Sequence, residues 1–542
     1  MDNLNTPDNM SKNTHTKLFK LQFSGASGNN TKYNLQLTEA RRQGEILAAN
    51  FFEKNKFVCH LLYCPCIYIS EQRNDGMIMV FSSLQFIFIF MPIFFGCYYI
   101  VPDKLKNSIL FIGSLCFYFV GTIHNPEHFI VFILSIIADF VVGVWIEKFS
   151  AHKKVLLTIG ISLHLISLAA FKYSGFVINE IGRLNPSFNF TADIVLPIGI
   201  SFYTFQGISY IVDVYRGTTK AQQSLLKYTI YISMFEQLIA GPIVTYGQVE
   251  KELYKRQIKT SSVLRGIGIF IFGLGLKVLL ANPIGKLWSQ TCAIGFESIS
   301  TPLAWMAIIA FSFQIYFDFF GYSLMAIGLG KMLGFKLPKN FDHPYTSLTM
   351  TEFWRRWHIT LGAWFREYVY IPLGGNRNGK IATVRNLLIV WLLTGLWHGA
   401  GYNFVLWGTV LFTIIMLEKF FIGKYLNKMP VIAHLYMFIL IPITWAIFAI
   451  DDIGQLWVFF TRLFPFFGQG VWSIFRYDYL KYLNLFYPFF IAGILFSTRL
   501  PFRILKRIKS RVVICLLLSV IFCASVYCMY RGFDDPFLYF RF

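Results

Sequence analysis

The chain has 542 residues, 55% hydrophobic and 18% aromatic but only 14% charged, where an ordinary soluble domain carries about 25%. Lys and Arg outnumber Asp and Glu by 49 to 28, a formal charge of +21. The basic residues sit in short loops between apolar runs, which is the positive-inside pattern of a membrane protein and not a nucleic-acid footprint. Composition thus excludes a doubly wound nucleotide-binding enzyme, a secreted disulfide scaffold and a DNA-reading module as readings of the whole chain. Runs 77–101, 130–146, 263–281 and 387–410 reach bilayer length. The expected fold class is an all-α polytopic membrane protein of roughly ten to thirteen membrane helices.

Residues 1–76 differ from the rest of the chain. They are polar and rich in Asn, Thr and Lys, so the chain divides into an N-terminal extension, 1–76, and a membrane domain, 77–542. The apolar stretch 57–69 is too short to span and is not placed like a signal peptide. Cys59, Cys64, Cys66 and His60 have metal-capable atoms, but their spacing matches no zinc pattern, and no metal site is expected. Most of the nine cysteines lie in apolar segments, where a thiol behaves as a small hydrophobe.

Loop charge then alternates along the chain. Loop 103–106 is basic, 121–128 has no Lys or Arg, 147–154 is basic again, and 179–193 is polar and Asn-rich. The next connection begins at Arg216 and runs through Lys220 and Lys227. This places the start of the first span outside. A polar tail of 76 residues would then have to cross the membrane, so the working protein is expected to start at Met77 or Met79.

Pro and Gly break the apolar pattern at 196–199, 240–242 and 371–375. Broken backbone at membrane depth is tolerated only where protein or a water-filled cavity satisfies it, so residues 195–410 are expected to build a site. No internal repeat is visible, which argues against an inverted-repeat transporter.

In segment 349–372, Thr349 and Glu352 have capping-box spacing and predict a helix start. Trp354, Trp357, His358, Leu361, Trp364, Phe365 and Tyr368 fall on one helical face, with Arg355, Gly362 and Arg366 opposite. Pro372, Gly374 and Gly375 end the pattern. An aromatic face beside a basic one describes an interfacial helix, and a simple anchor is the plain reading. His358 argues for more, because an anchor has no use for an imidazole among tryptophans, whereas a proton-handling site does.

His398 lies near the middle of run 387–410. Burial favours the neutral ring, which can accept a proton. Gly395, Gly399, Ala400 and Gly401 leave room for a helix or a substrate to approach closely. A structural histidine inside a packed helix pair is the alternative, but its intramembrane position makes function the default. Asp139, Asp213, Glu236, Lys277 and Asp318 are further intramembrane ionisable residues. Most are expected to be satisfied by buried partners; Asp318, crowded by aromatic groups, is the best candidate for a proton pathway. The stretch 374–380 imitates the first part of a P-loop, but Ile381 follows the lysine and the segment follows a helix, so it is a basic turn. The chain has no Gly-x-Ser-x-Gly elbow and no histidine followed five positions later by Asp.

Several long motifs occur in one order: MVFSSLQFIFIFMPI from Met79, LPIGISFYTFQGISYIVDVYRG from Leu196, FEQLIAGPIVTY from Phe235 and FQIYFDFFGYSLMAIGLG from Phe313. LPKNFDHPYTSLTMTEFWRRWHITLGAWFREYVYIPLGGNR from Leu337, TGLWHGAGYNFVLWG from Thr394 and the terminal PFLYFRF complete the series. Over residues 79–542 the chain resembles the bacterial membrane-bound O-acyltransferase (MBOAT) family, closest to its alginate and peptidoglycan O-acetylase branch. The resemblance implies membrane helices, with short re-entrant and interfacial helices, around a central funnel. It implies a catalytic His398 in the Trp-His-Gly motif and a second catalytic histidine, His358, in Arg-Trp-His. Asp318, Trp354, Arg355, Arg356, Trp357, Trp364, Trp397 and Asn403 are the expected supporting or substrate-binding residues. Two departures bear on acceptor preference and leave both histidines in place. Phe320 and Leu324 stand where the branch carries Ser and Asp, and an Arg of the branch is absent near 445–452.

The expected reaction moves an acetyl group from a cytoplasmic thioester, acetyl-CoA or another acyl thioester, to an extracytoplasmic polysaccharide such as an alginate-like polymer or peptidoglycan. No bound cofactor and no nucleic-acid partner are expected. The expected partners are the lipid bilayer, the polysaccharide acceptor and a separate extracytoplasmic acetyltransferase, and the expected location is the bacterial inner membrane. A transporter, a non-catalytic scaffold and D-alanyl transfer to teichoic acid are the alternatives.

Overall fold

In hydrocarbon each backbone N–H and C=O must find its partner inside the protein, and an apolar run does so most simply as a helix. The computed structural model describes residues 79–185, 194–238, 241–467, 476–532 and 538, and those residues contain helices and turns but no strand. The N-terminal extension, with Cys59, His60, Cys64 and Cys66, lies outside the described residues.

In chain order, α1 (Phe86–Ile100), α2 (Lys106–Gly121), α3 (Pro126–Lys148) and α4 (Lys153–Leu184) come first. They are followed by α5 (Ile200–Arg216), α6 (Leu225–Ser233), the single turn α7 (Phe235–Leu238) and α8 (Tyr246–Tyr254). Next are the long α9 (Thr260–Ile294) and α10 (Thr301–Leu333) and the short α11 (Met350–Arg356) and α12 (Ile359–Phe365). The last helices are α13 (Gly379–His398), α14 (Tyr402–Leu426), α15 (Pro430–Ala449), α16 (Ile453–Leu463), α17 (Asp478–Ser497), α18 (Leu500–Arg507) and α19 (Arg511–Tyr530). Among the described residues nine helices are long and apolar enough to cross a membrane: α3, α4, α9, α10, α13, α14, α15, α17 and α19. The shorter α1, α2 and α5 add to them.

Helix α10 is the most buried of the nine and forms the axis on which the site is built. It lies backbone to backbone with α9. A Cβ on Gly273 would fall 2.5 Å from the Gly321 carbonyl oxygen, and one on Gly266 would fall 2.6 Å from that of Gly328. Contact this close requires small residues on both helices. Within α9, residues Leu276–Ala281 form a π-helical turn that includes Lys277. The broken segment at 196–199 also meets the short turn 235–238. Gly199, at φ 73°, packs where a Cβ would lie 2.6 Å from the Leu238 carbonyl oxygen.

Two expectations are corrected. Run 387–410 is not one span: α13 stops at His398, Gly399 is extended, and α14 starts at Tyr402. The hairpin closes because glycine lines both of its arms. A Cβ at Gly395 would sit 2.3 Å from the Phe404 carbonyl oxygen, and one at Gly408 would sit 2.5 Å from that of Trp391. His398 therefore sits at a turn rather than in mid-span.

Nor is segment 349–372 one interfacial helix. Thr349 caps α11 through Glu352 N at 3.1 Å, as its spacing predicts. The Glu352 carboxylate, however, accepts from Leu348 N and not from the cap residue. The helix then breaks: Trp357 is extended and His358 adopts φ 42°, ψ 56°. Bonds from another segment replace the helical ladder there. Ile359 N donates to Asn340 O at 2.9 Å, and Asp342 N donates to Arg356 O at 2.9 Å. Both Trp357 and His358 are buried.

Candidate functional site

The break in segment 349–372 and the turn after α13 bring two distant histidines to one place. His358 and His398 line a common cavity with Ile315, Asp318 and Phe319 of α10, Trp354 and Trp357, Trp445 and Phe448 of α15, and Leu538. The volume is about 20 Å³, enough for about one water molecule. Aromatic rings close it down. Phe319 meets His358 edge-on at 4.7 Å, and Phe448 and Trp407 meet His398 edge-on, each at 5.2 Å.

His358 has a backbone conformation that costs a non-glycine residue on the order of 1–3 kcal/mol, and such strain persists only where the surroundings over-determine it. Here Asn340 supplies the constraint, and its Oδ1 lies 3.1 Å from His358 Nδ1. Asp342, two residues on, anchors the same loop by ion pairs to Lys339 at 2.7 Å and Arg499 at 3.5 Å. Burial alone would raise the Asp342 carboxyl, but the hydrogen bond and charge of Lys339, with Arg499, hold it below the usual carboxylate range.

His398 is held through the end of its helix. Lys172 of α4 donates to the Trp397 carbonyl oxygen, and Tyr173 donates to that of Leu396. A cation at these carbonyls complements the negative end of the α13 dipole. On the cavity wall, Asp318 Oδ1 pairs with Lys277 Nζ at 2.5 Å, and Asp318 Oδ2 accepts from Leu538 N at 2.7 Å.

Of the ten residues singled out from sequence, His398, His358, Asp318, Trp354 and Trp357 reach the cavity. The other five do not line it. Arg355 is exposed, while Arg356 pairs with Glu352 at 2.5 Å and donates to Thr346. Trp364 stacks on Phe205 at 4.0 Å and donates to its carbonyl oxygen. Trp397 stacks on Phe205 at 5.2 Å and meets His358 and His398 edge-on, at 6.4 and 4.8 Å. Asn403 ties the hairpin to α15 through the Phe448 carbonyl oxygen at 3.1 Å. The remaining intramembrane carboxylates differ among themselves. Asp139 is bonded to His164 at 2.6 Å and Tyr228 at 3.1 Å, Asp213 accepts from Tyr368 at 3.0 Å, and Glu236 is fully buried.

Sequence reasoning missed Lys172, Asn340, Trp445, Phe448 and Leu538. Lys172 was findable as a cation inside the apolar stretch of α4, away from the basic residues at its ends. For the others, nothing in the local pattern separates them from ordinary core or loop residues.

Known proteins are clearly similar to this chain. Residues 218–425 match the family model described as MBOAT, membrane-bound O-acyltransferase family. Over 407 residues the chain is 36% identical to the probable alginate O-acetylase AlgI of Pseudomonas aeruginosa, covering 73% of this chain and 76% of that one. This chain belongs to the membrane-bound O-acyltransferase family. As an MBOAT protein it is an O-acyltransferase of the membrane. It is also 33% identical to the peptidoglycan O-acetyltransferase of Helicobacter pylori, over 68% of this chain and 77% of that one. Likeness to the teichoic acid D-alanyltransferase of Bacillus subtilis is lower, 28% over 41% of this chain and 59% of that one. Among the described residues no cluster of His, Cys, Asp and Glu has the arrangement of a metal site.

Proposed function

We propose that this MBOAT protein transfers acetyl groups from a cytoplasmic thioester, acetyl-CoA, toward the hydroxyls of an extracytoplasmic polysaccharide, either an alginate-like polymer or peptidoglycan. The observation that carries the reading is the convergence of His358 and His398 on one small cavity walled by aromatic side chains. Likeness to alginate and peptidoglycan O-acetylases over more than three-quarters of their length supports acetyl over D-alanyl.

The chemistry rests on the groups present. A hydroxyl oxygen attacks the thioester carbonyl carbon while His398 takes the hydroxyl proton, a role worth about 10²–10⁴-fold. The new C–O bond forms as the C–S bond breaks, and the departing thiolate leaves with a proton. Trp354, Trp357 and Trp445 exclude water, which strengthens every electrostatic interaction in the site. Asp318, held by Lys277, keeps a fixed charge at the wall. We place the protein in the bacterial inner membrane, working with a separate extracytoplasmic acetyltransferase that completes transfer to the polymer. The N-terminal 76 residues form an extension apart from this catalytic domain in the same reading.

Gene deletion, complementation with wild type or His398→Ala at matched membrane levels, and assay of alkali-labile acetate on envelope and secreted polysaccharides test the proposal. Acetate should return with wild type alone, and the fraction that regains it is the acceptor. Equal restoration by both would remove His398 from the chemistry.

A further inference from the structure

Asn340 does not line the cavity, yet the hydrogen bonds around it decide what His358 can do there. Its Nδ2 donates to Ser323 Oγ at 3.1 Å. Its Oδ1 accepts from Thr360 N at 3.3 Å and from Thr360 Oγ1 at 3.0 Å, and lies 3.1 Å from His358 Nδ1. A backbone N–H only donates, so the amide atom facing Thr360 N is the oxygen. The Thr360 hydroxyl itself accepts from Ile243 N at 3.0 Å, which directs its own proton to Asn340. Every group around Oδ1 is therefore a donor, and His358 Nδ1 carries a hydrogen. A neutral imidazole with Nδ1–H has a bare lone pair on Nε2. That nitrogen is buried and has no hydrogen-bond partner among the described residues.

We infer that Asn340 is a positioning residue that fixes the tautomer of His358, so that this histidine presents a proton-accepting nitrogen to the cavity. The inference rests on the acyltransferase reading and narrows it. Donating a hydrogen bond to the developing oxyanion would need an Nε2–H, which this tautomer lacks. Accepting, by way of His398, the proton released by the hydroxyl uses the lone pair it supplies. The proton then arrives at Nε2 and makes an imidazolium, Nδ1–H stays on Asn340, and the proton departs with the thiolate. The other titratable groups on the cavity are His398 and Asp318, with Lys277 behind Asp318.

The Asn340 side-chain oxygen also accepts from the Thr360 backbone N–H beside the break, so the test must separate folding from tautomer. Membrane vesicles carrying the full-length protein would be supplied with radiolabelled acetyl-CoA, and label transferred to envelope polymer would be measured against pH and donor concentration. Asn340→Leu should lower kcat by about 10²-fold or more with KM unchanged. Asn340→Asp keeps an acceptor on Nδ1–H and should retain activity, but its acid limb should move to higher pH, because a carboxylate beside the ring favours imidazolium. Ser323→Ala removes only the bond on the far side of the amide and should stay near wild type. Wild-type kcat in Asn340→Leu, or an unmoved profile in Asn340→Asp, would overturn the assignment. If Asn340→Leu fails to accumulate, the Asn340→Asp profile decides. Wild type that transfers no label, or His398→Ala that equals wild type, overturns the proposed acetyl transfer from acetyl-CoA through His398, and the role of Asn340 with it.

Discussion

Lys277 and Asp318 form an ion pair of 2.5 Å between α9 and α10, with side chains only 1% and 4% exposed. Asp318 lines the histidine cavity, and Lys277 stands behind it in the π-helical turn that interrupts α9. Removing one partner strands a charge in a medium that cannot solvate it. Asp318→Asn or Lys277→Met should each destabilise the protein by about 3–5 kcal/mol, read as a fall in melting temperature in detergent. The double variant Lys277→Met with Asp318→Leu should recover much of that loss. A single variant that melts like wild type would refute this account.

The left-handed backbone of His358 suggests a comparison of two small residues. His358→Ala and His358→Gly both delete the ring and should both lose activity. The glycine variant has no Cβ to strain at φ 42° and should melt above the alanine variant by the equivalent of about 1–2 kcal/mol. An alanine variant as stable as the glycine variant would show that the break costs nothing.

The hairpin at His398 depends on two glycines. Gly395→Ala and Gly408→Ala each push a methyl group into a carbonyl oxygen 2.3 or 2.5 Å away. Each should cost about 1–3 kcal/mol of stability and displace His398 enough to lower acetyl transfer severalfold. Full activity in both, measured as alkali-labile acetate, would mean that the hairpin does not set the position of His398.

Lys172→Met removes the cation from the last carbonyls of α13 and leaves a buried acceptor there. Loss of about 1–3 kcal/mol is expected, with kcat falling more than KM rises, because the end of the helix carries His398. Lys172→Arg keeps the charge and should retain most activity. Equal losses in Met and Arg variants would point to packing of the long side chain rather than its charge.

Much of the fold was legible because hydropathy is a local signal. Runs 130–146 and 263–281 fall within α3 and α9, since a segment of that length and polarity has no better place than a bilayer. The Thr349 cap was also legible, because the bond it makes spans only three residues. Periodicity failed at Trp357 and His358 because the bonds that break the helix come from Asn340 and Asp342, which a window centred on the helix does not weigh. It failed again at 387–410, where apolar residues continue through a turn and composition does not distinguish a span from a hairpin.

The sequence by itself determined the medium, the helical class, the family resemblance and the two histidines, because each is written in contiguous residues. Tertiary structure alone decided that those histidines face one cavity. It also decided that Asp318 pairs with Lys277, that Leu538 reaches the same wall, and that Asn340 holds one ring nitrogen. These relationships join residues tens to hundreds of positions apart, and only the packing of α9, α10, α13 and α15 around the broken segment brings them within hydrogen-bonding distance.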